Sequence, residues 1–409
     1  MQKKNVYPWV VVGLLWIVAL LNYMDRQMLS TMKVSMMIDI TELESAANFG
    51  RLMAVFLWIY GLMSPVSGLI ADALNRKWLI VGSLLVWSAV TMAMGYSTSY
   101  DQIFWLRALM GVSEALYIPA GLSLIADYHS DKTRSLAVGI HMTGLYAGQA
   151  IGGFGATIAA SFSWQSTFHW FGIIGIVYAF LLIFALKEKK AAPKVTTGQQ
   201  SGRGNPLKVL AVLFSNISFW IILIYFAAPS MPGWAIKNWV PTLFSENLNL
   251  DMATAGPLST ITIALSSFIG VIFGGILSDK WVQKNIRGRV YTGAIGLGMT
   301  IPALLLLGLG HGYLSVVGSA LFFGIGYGMF DANNMPILCQ FVSVRHRATA
   351  YGFMNMVGVF AGAFVTDLLG KSTDAGNLGH DFAMLGGLVL VALVLQLFFL
   401  RPKADADLS

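Results

Sequence analysis

The sequence predicts an all-α membrane protein with twelve transmembrane helices in two pseudo-symmetric six-helix bundles. Three observations lead there. Apolar residues fill 56% of the 409 positions and charged residues only 11%, against roughly 25% charged in an ordinary soluble domain. The apolar residues gather in twelve stretches, each long enough to cross about 30 Å of hydrocarbon, which takes about 20 helical residues. The charges collect between those stretches, and the basic ones favour alternate gaps.

Taken in order, α1 lies near 8–30 and ends in NYMDR, Asn22 to Arg26. Its apolar run resembles a secretory signal, but charges follow it and no small-residue cleavage site does, so it is read as a retained helix. α2 (near 48–71) and α3 (near 78–97) are joined by GLIADALNRK, Gly68 to Lys77. α4, near 102–127, contains LRALMGVSEALYIPAG, Leu106 to Gly121, and α5, near 135–160, contains the glycine run GLYAGQAIGG, Gly144 to Gly153. α6, near 165–187, ends in a basic cluster. The second half repeats the pattern: α7 near 214–245, α8 near 254–279, α9 near 290–310, α10 near 314–340, α11 near 347–370 and α12 near 381–400. Such lengths without strict alternation mean helices, not barrel strands.

The one long polar interruption sets the domain boundaries. Residues 188–210, rich in Lys, Gly, Gln and Pro, read as a flexible basic linker between a bundle at 1–187 and a bundle at 211–409. All but six of the 26 lysines and arginines lie at one set of alternate helix ends, the exceptions being Arg26, Lys33, Arg51, Arg107, Lys237 and Lys371. The positive-inside rule therefore places both termini and the linker in the cytoplasm, with the protein in the cell (inner) membrane. Distributed this way, a net charge of +7 speaks of the bilayer and not of nucleic acid. A single cysteine, Cys339, excludes an internal disulfide and any cysteine-based metal site. No cofactor and no metal are expected, and a monomer is.

The halves echo one another. In Gly68 to Lys77 and again in Gly275 to Arg289 a glycine is followed four residues on by aspartate, Asp72 and Asp279, and then by arginine. Setting Pro119 of α4 on Pro336 of α10 places Glu114 on Asp331, and RSLAVG (Arg134 to Gly139) resembles RATAYG (Arg347 to Gly352). Internal duplication with a site at the midplane is how many secondary transporters are built.

With these segments the whole chain resembles the major facilitator superfamily. GLIADALNRK is similar to the family's signature between the second and third helices, with Asn75 where glycine is usual, and Gln149 stands where the fifth-helix run commonly has proline. NYMDRQMLS (Asn22 to Ser30), the pattern R-x-x-x-G-x-x-E-A-x-x-x-P from Arg107 to Pro119, and FMNMVGVFAG (Phe353 to Gly362) look like the anion:cation symporter branch. That branch carries organic anions such as hexuronates, aldonates or sialate, usually with protons. Its Trp-Phe-Pro after the fourth helix is replaced by DYHSDKTR, Asp127 to Arg134. Spinster-like lysolipid carriers share the first two patterns and form the alternative.

Charges buried in apolar helices carry the functional reading, because a charge in hydrocarbon costs a few kcal/mol or more and is normally turned to a protein interior or a watery path. Arg107 and Glu114, seven residues apart, share a helix face roughly 10 Å apart along the axis. Arg107 offers a fork of donors matched to a carboxylate or phosphate, so it is expected to bind the substrate anion or to trade partners between that anion and Glu114; a permanent structural ion pair would use the same residues. Glu114, held between burial and an arginine, could take up a proton when the arginine leaves it. Asp25 and Arg26 point about 100° apart, and the resemblance implies that Asp25 is a second protonation site and Arg26 a second anion contact.

Polar residues for a sugar-sized site are Tyr60, Gln149 and Asn355, which match substrate-facing positions of the resembling family, together with Tyr23, Tyr117, Asn333 and Asn334. Position 324, opposite Arg107, is glycine, so charge coupling is expected in the N-terminal half and shape recognition in the C-terminal half. Lys237 is expected at the outer mouth, where snorkelling and anion attraction are both open. Asp72 with Arg76 and Arg134, and Asp279 with Arg287 or Arg289, are expected to gate the seam between the halves. An enzyme would need a nucleophile and base or a metal cluster, and none stands out. The leading expectation is a proton-coupled importer of a small organic anion, an acidic sugar such as a hexuronate, aldonate or sialate, working by alternating access.

Overall fold

A computed structural model describes residues 6–188, 211, 213–342 and 347–402. The linker expected at 188–210 falls, from 189 onward, outside the described residues, as does the side chain of Asp72. Among the described residues the secondary structure is entirely helical. Besides short helices at Lys33–Met36 and Thr41–Glu44, the described residues form twelve long ones: α1 Tyr7–Thr31, α2 Ala46–Ala73, α3 Arg76–Met94, α4 Tyr100–Ala115 continuing as Tyr117–Tyr128, α5 Asp131–Gly152 continuing as Gly155–Ser161, and α6 Trp164–Ala185, followed by α7 Ile217–Leu248, α8 Met252–Val282, α9 Gly288–Leu309, α10 Tyr313–Asp331 continuing as Asn334–Leu338, α11 Arg347–Asp374 and α12 Leu378–Phe399.

Eleven of these meet the length and apolarity needed to cross a membrane. The helix outside that group, α5, is too polar, carrying His141, Thr143 and Gln149 among five glycines. Its place is set by packing instead of hydropathy. A Cβ at Gly144 would lie 2.6 Å from the Trp16 carbonyl oxygen and one at Gly152 would lie 2.7 Å from that of Met24, so the glycine run lets α5 lie almost backbone to backbone on α1. The Trp16 indole donates to the Thr143 hydroxyl at 2.8 Å across the same seam.

Two helices break at matching places, and proline explains both. Proline lacks an N–H and its ring clashes with the carbonyl four residues back. For Pro119 that residue is Ala115, and for Pro336 it is Ala332; α4 breaks after Ala115 and α10 breaks between Asp331 and Asn334. Glu114 and Asp331 thus each end the first segment of a broken helix, at corresponding levels of the two halves.

The halves meet chiefly through α2 against α11 and α5 against α8, with α1 touching α7. At the end opposite the termini the α2–α11 seam is tightly made. The carboxylate of Asp374 accepts from the Ser45 hydroxyl at 2.7 Å and from the Ala46 and Ala47 amides at 2.6 and 2.9 Å, capping the start of α2 from the other half. On the α5–α8 seam Thr157 donates to the Ala253 carbonyl at 2.6 Å. At the other end of the molecule two ion pairs among the described residues each lie inside one half: Arg76 with Asp127, joining α3 to α4, and Arg289 with Asp279 at 3.5 Å, joining α9 to α8.

The α1–α5 packing is testable with a matched pair. Gly144→Ala should destabilise by about 1–3 kcal/mol through overpacking, whereas Gly139→Ala, whose Cβ meets nothing within 4 Å, should be neutral or gain up to about 1 kcal/mol from helix propensity. Melting curves of the two purified variants check it; equal shifts would remove the close-packing account.

Candidate functional site

The centre of the N-terminal half is built on α1, α2 and α4. Arg26 Nε donates to Glu114 Oε2 at 2.5 Å, with the glutamate fully buried and the arginine side chain 10% exposed. The guanidinium is boxed by aromatic rings, its Cζ lying 5.0 Å from the Tyr23 ring centre, 4.8 Å from Phe56 and 4.5 Å from Tyr60. Aromatic faces attract a cation by about 0.5–2 kcal/mol each and ask for no hydrogen bond in return, so they hold the arginine without consuming its donors.

Arg107 stands behind this pair. It is 3% exposed, stacked on the same Phe56 ring at 4.6 Å, and one Nη donates to the Met110 sulfur at 3.1 Å. Its Nε has no partner among the described residues, and Glu114 is within electrostatic reach. Glu114 thus touches Arg26, and Arg107 shares the Phe56 ring with that arginine. Asp25, adjacent to Arg26 in sequence, points elsewhere: it accepts from the Thr91 hydroxyl of α3 at 3.3 Å and its other oxygen has no partner among the described residues.

Beside this cluster lies a cavity of about 90 Å³ between the halves, lined by Tyr23 of α1, Tyr146 and Gln149 of α5, Lys237 of α7, Ser267 of α8, and Tyr327 and Asp331 of α10, among others. It has room for about three waters and is well below the several hundred Å³ of a site that encloses a ligand. A sugar-sized molecule would need the halves to move. Exposed Asp331, Met335 and Tyr351 lie toward the end that carries the termini, and the capped α2–α11 seam closes the other end.

The residues singled out in the sequence are distributed unevenly around this centre. Tyr23, Tyr60, Arg26 and Glu114 are together, and Gln149 lines the cavity. Asn355 donates to the Ser64 hydroxyl at 3.1 Å, tying α11 to α2. Tyr117 is fully buried and donates to the Leu15 carbonyl at 2.7 Å, a helix-to-helix bond away from the cavity. Asn333 is fully buried and donates within its own helix to Met329, while Asn334 donates to the Asp331 carboxylate at 3.2 Å. The gating clusters were expected to tie the halves together. The pairs that are described each stay within one half, and Arg134 donates to the His129 carbonyl at 3.5 Å.

Lys237 is the largest departure. Instead of an outer mouth it occupies the wall of the central cavity, with its Nζ 4.6 Å from the Trp234 ring centre and 5.9 Å from that of Tyr23. The C-terminal half therefore brings charge as well as shape to the centre. A spacing shared by the halves marks it: Tyr23-x-x-Arg26 in α1 and Trp234-x-x-Lys237 in α7 each put a cation one turn after an aromatic ring.

Eleven apolar helices and the glycine-rich α5, packed around buried charges, make this an integral membrane protein. Residues 15–366 match the Major Facilitator Superfamily, and the chain belongs to that family. It is 25% identical over 434 residues to the hexuronate transporter of Bacillus subtilis (strain 168), covering 98% of this chain and 96% of that one. It is 24% identical over 430 residues to the probable galactarate/D-glucarate transporter GarP of Escherichia coli (strain K12), covering 97% and 96%. Among solved structures, the inward-facing, unoccupied crystal structure of a bacterial homolog of the human lysosomal transporter Spinster superposes with a TM-score of 0.78 at 19% identity, covering 97% of this chain and 96% of the other.

The ion pair makes its own prediction. Removing one partner of a buried pair typically costs about 3–5 kcal/mol because the other charge is stranded. Glu114→Gln should therefore lower the melting temperature, and Arg26→Met added to it should recover part of the loss. A double variant no more stable than the sum of the single changes would argue against a direct interaction.

Proposed function

We propose that this protein is a proton-coupled symporter that imports a small organic anion, an acidic sugar, across the cell inner membrane by alternating access. The observation that carries the reading is the contact of Arg26 with fully buried Glu114 beside a cavity whose wall includes Gln149, Lys237 and Asp331. An arginine fork is matched to carboxylates. When the substrate's acidic group takes Arg26, Glu114 loses its direct partner in surroundings that disfavour a bare charge, and a proton replaces the arginine. Release of the anion lets Arg26 return and expel the proton. Arg107, on the same Phe56 ring as Arg26, limits the cost of the exchange, and Asp25 serves as a second protonation site.

Tyr23, Tyr60, Gln149 and Asn355 contribute hydrogen bonds and ring faces to the sugar. The hexuronate and galactarate/D-glucarate transporters among the relatives support an acidic-sugar substrate. The ammonium of Lys237 and the carboxylate of Asp331 in the cavity wall favour it over a lysolipid, which asks for a path without charges. With both termini in the cytoplasm, as the basic loops require, the sealed α2–α11 end faces outward, and transport is a rocking of the two halves about the centre.

In proteoliposomes, uptake of D-glucuronate should require an inward proton gradient, and Glu114→Gln should abolish accumulation against a concentration gradient while leaving exchange of substrate across the membrane. Concentrative uptake undiminished in that variant would defeat proton coupling through Glu114.

A further inference from the structure

Lys237 is not accounted for by the Arg26–Glu114 exchange. Its ammonium lies in the wall of the central cavity with aromatic rings as neighbours, and among the described residues no carboxylate comes within 4.0 Å of it and no hydrogen bond is made by it. Asp331 lines the same cavity and is within electrostatic reach, with one of its oxygens accepting from Asn334. The cavity is thus bordered by a cation and an acceptor that do not touch.

This arrangement repeats the N-terminal half with one change. Arg26 follows Tyr23 by one turn and Lys237 follows Trp234 by one turn; Glu114 and Asp331 each stand where a proline breaks the helix. In the N-terminal half cation and carboxylate are in contact, and in the C-terminal half both line one cavity without forming an ion pair. The two cations share the Tyr23 ring, with Arg26 Cζ at 5.0 Å and Lys237 Nζ at 5.9 Å from its centre.

We infer that Lys237 and Asp331 form a substrate subsite for a 2-hydroxy acid group, the carboxylate binding the Lys237 ammonium and the neighbouring hydroxyl donating to Asp331. An anion alone would meet repulsion from Asp331, and a neutral hydroxyl alone would leave Lys237 unmatched. A 2-hydroxy acid supplies one acceptor and one donor to these two groups of the cavity wall, while Tyr146 and Tyr327, which line it, and Trp234 beside the ammonium offer faces for the C–H edges of the chain. The substrate class is then an open-chain aldonate in preference to a hexuronate pyranose, whose carbon next to the carboxylate bears the ring oxygen instead of a free hydroxyl. This assignment rests on the acidic-sugar reading above and deepens it.

The experiment measures binding to the purified full-length protein by calorimetry, with D-gluconate, 2-deoxy-D-gluconate and D-glucuronate as probes. Gluconate should bind at least about tenfold more tightly than its 2-deoxy analogue, as expected when a site that accepts from a hydroxyl loses it. Asp331→Asn should shrink that discrimination to about twofold, a loss of roughly one hydrogen bond to a charged group. Lys237→Met should weaken gluconate by at least about tenfold and Lys237→Arg should restore most of it. Equal binding of the two gluconates to the unaltered protein would overturn the inference without any variant, as would full gluconate affinity in Lys237→Met. Proton-driven D-glucuronate uptake reports on the Arg26–Glu114 exchange separately, so its loss with the 2-hydroxyl preference intact would sink the coupling scheme alone. Binding of none of the three acids would sink both.

Discussion

A guanidinium in contact with a carboxylate halfway through a bundle of apolar helices sets the terms for the rest of this molecule. Neither charge is tolerable alone in that environment, and together they are stable only while the geometry between α1 and α4 is kept. The surroundings meet that demand in two ways. The rings of Tyr23, Phe56 and Tyr60 hold the arginine without using its donors, and the glycine run of α5 lets α1 sit close enough to be fixed in rotation. A pair stabilised mainly by itself can be separated only by something that replaces one partner, and an anion and a proton are the two species able to do so.

The duplicated architecture converts that local constraint into a centre shared by both halves. Pro119 and Pro336 interrupt α4 and α10 one residue after Glu114 and near Asp331, leaving each acid at the end of a rigid segment with a break beneath it. Breaks at matching levels give the two halves matching points of bending. The Asp374 cap on α2 joins the halves at one end with several directional hydrogen bonds, while the ion pairs described at the other end stiffen each half internally. Such a distribution suits a molecule whose halves move as bodies about a central site.

Much of the fold was legible because hydropathy and the placement of lysine and arginine act over long windows: the predicted spans agree with the helices to within a few residues at most ends. α5 was legible through its flanks and its glycines, not through its hydropathy. The site was legible as a neighbourhood and not as a set of contacts. Sequence spacing put Arg107 on the Glu114 face, but contact is decided by how α1 and α4 are rotated against each other, and it is Arg26 that touches the glutamate. Lys237 was placed at the outer mouth because its depth in α7, a 32-residue helix with three prolines, cannot be counted from a blurred helix end. The Tyr23/Arg26 and Trp234/Lys237 spacing was present in the chain all along; it carries weight only once both cations are seen around one ring.

The central claim is that an arriving anion takes Arg26 from Glu114 and a proton takes its place. It is tested most directly by calorimetric titration of the purified protein with its substrate anion in buffers of different ionisation enthalpy, which reports protons taken up per anion bound. The account predicts net uptake of about one proton in the unaltered protein near neutral pH and none through this site once Glu114 is replaced by glutamine. Binding of the anion at full affinity with no proton uptake in any buffer would contradict it.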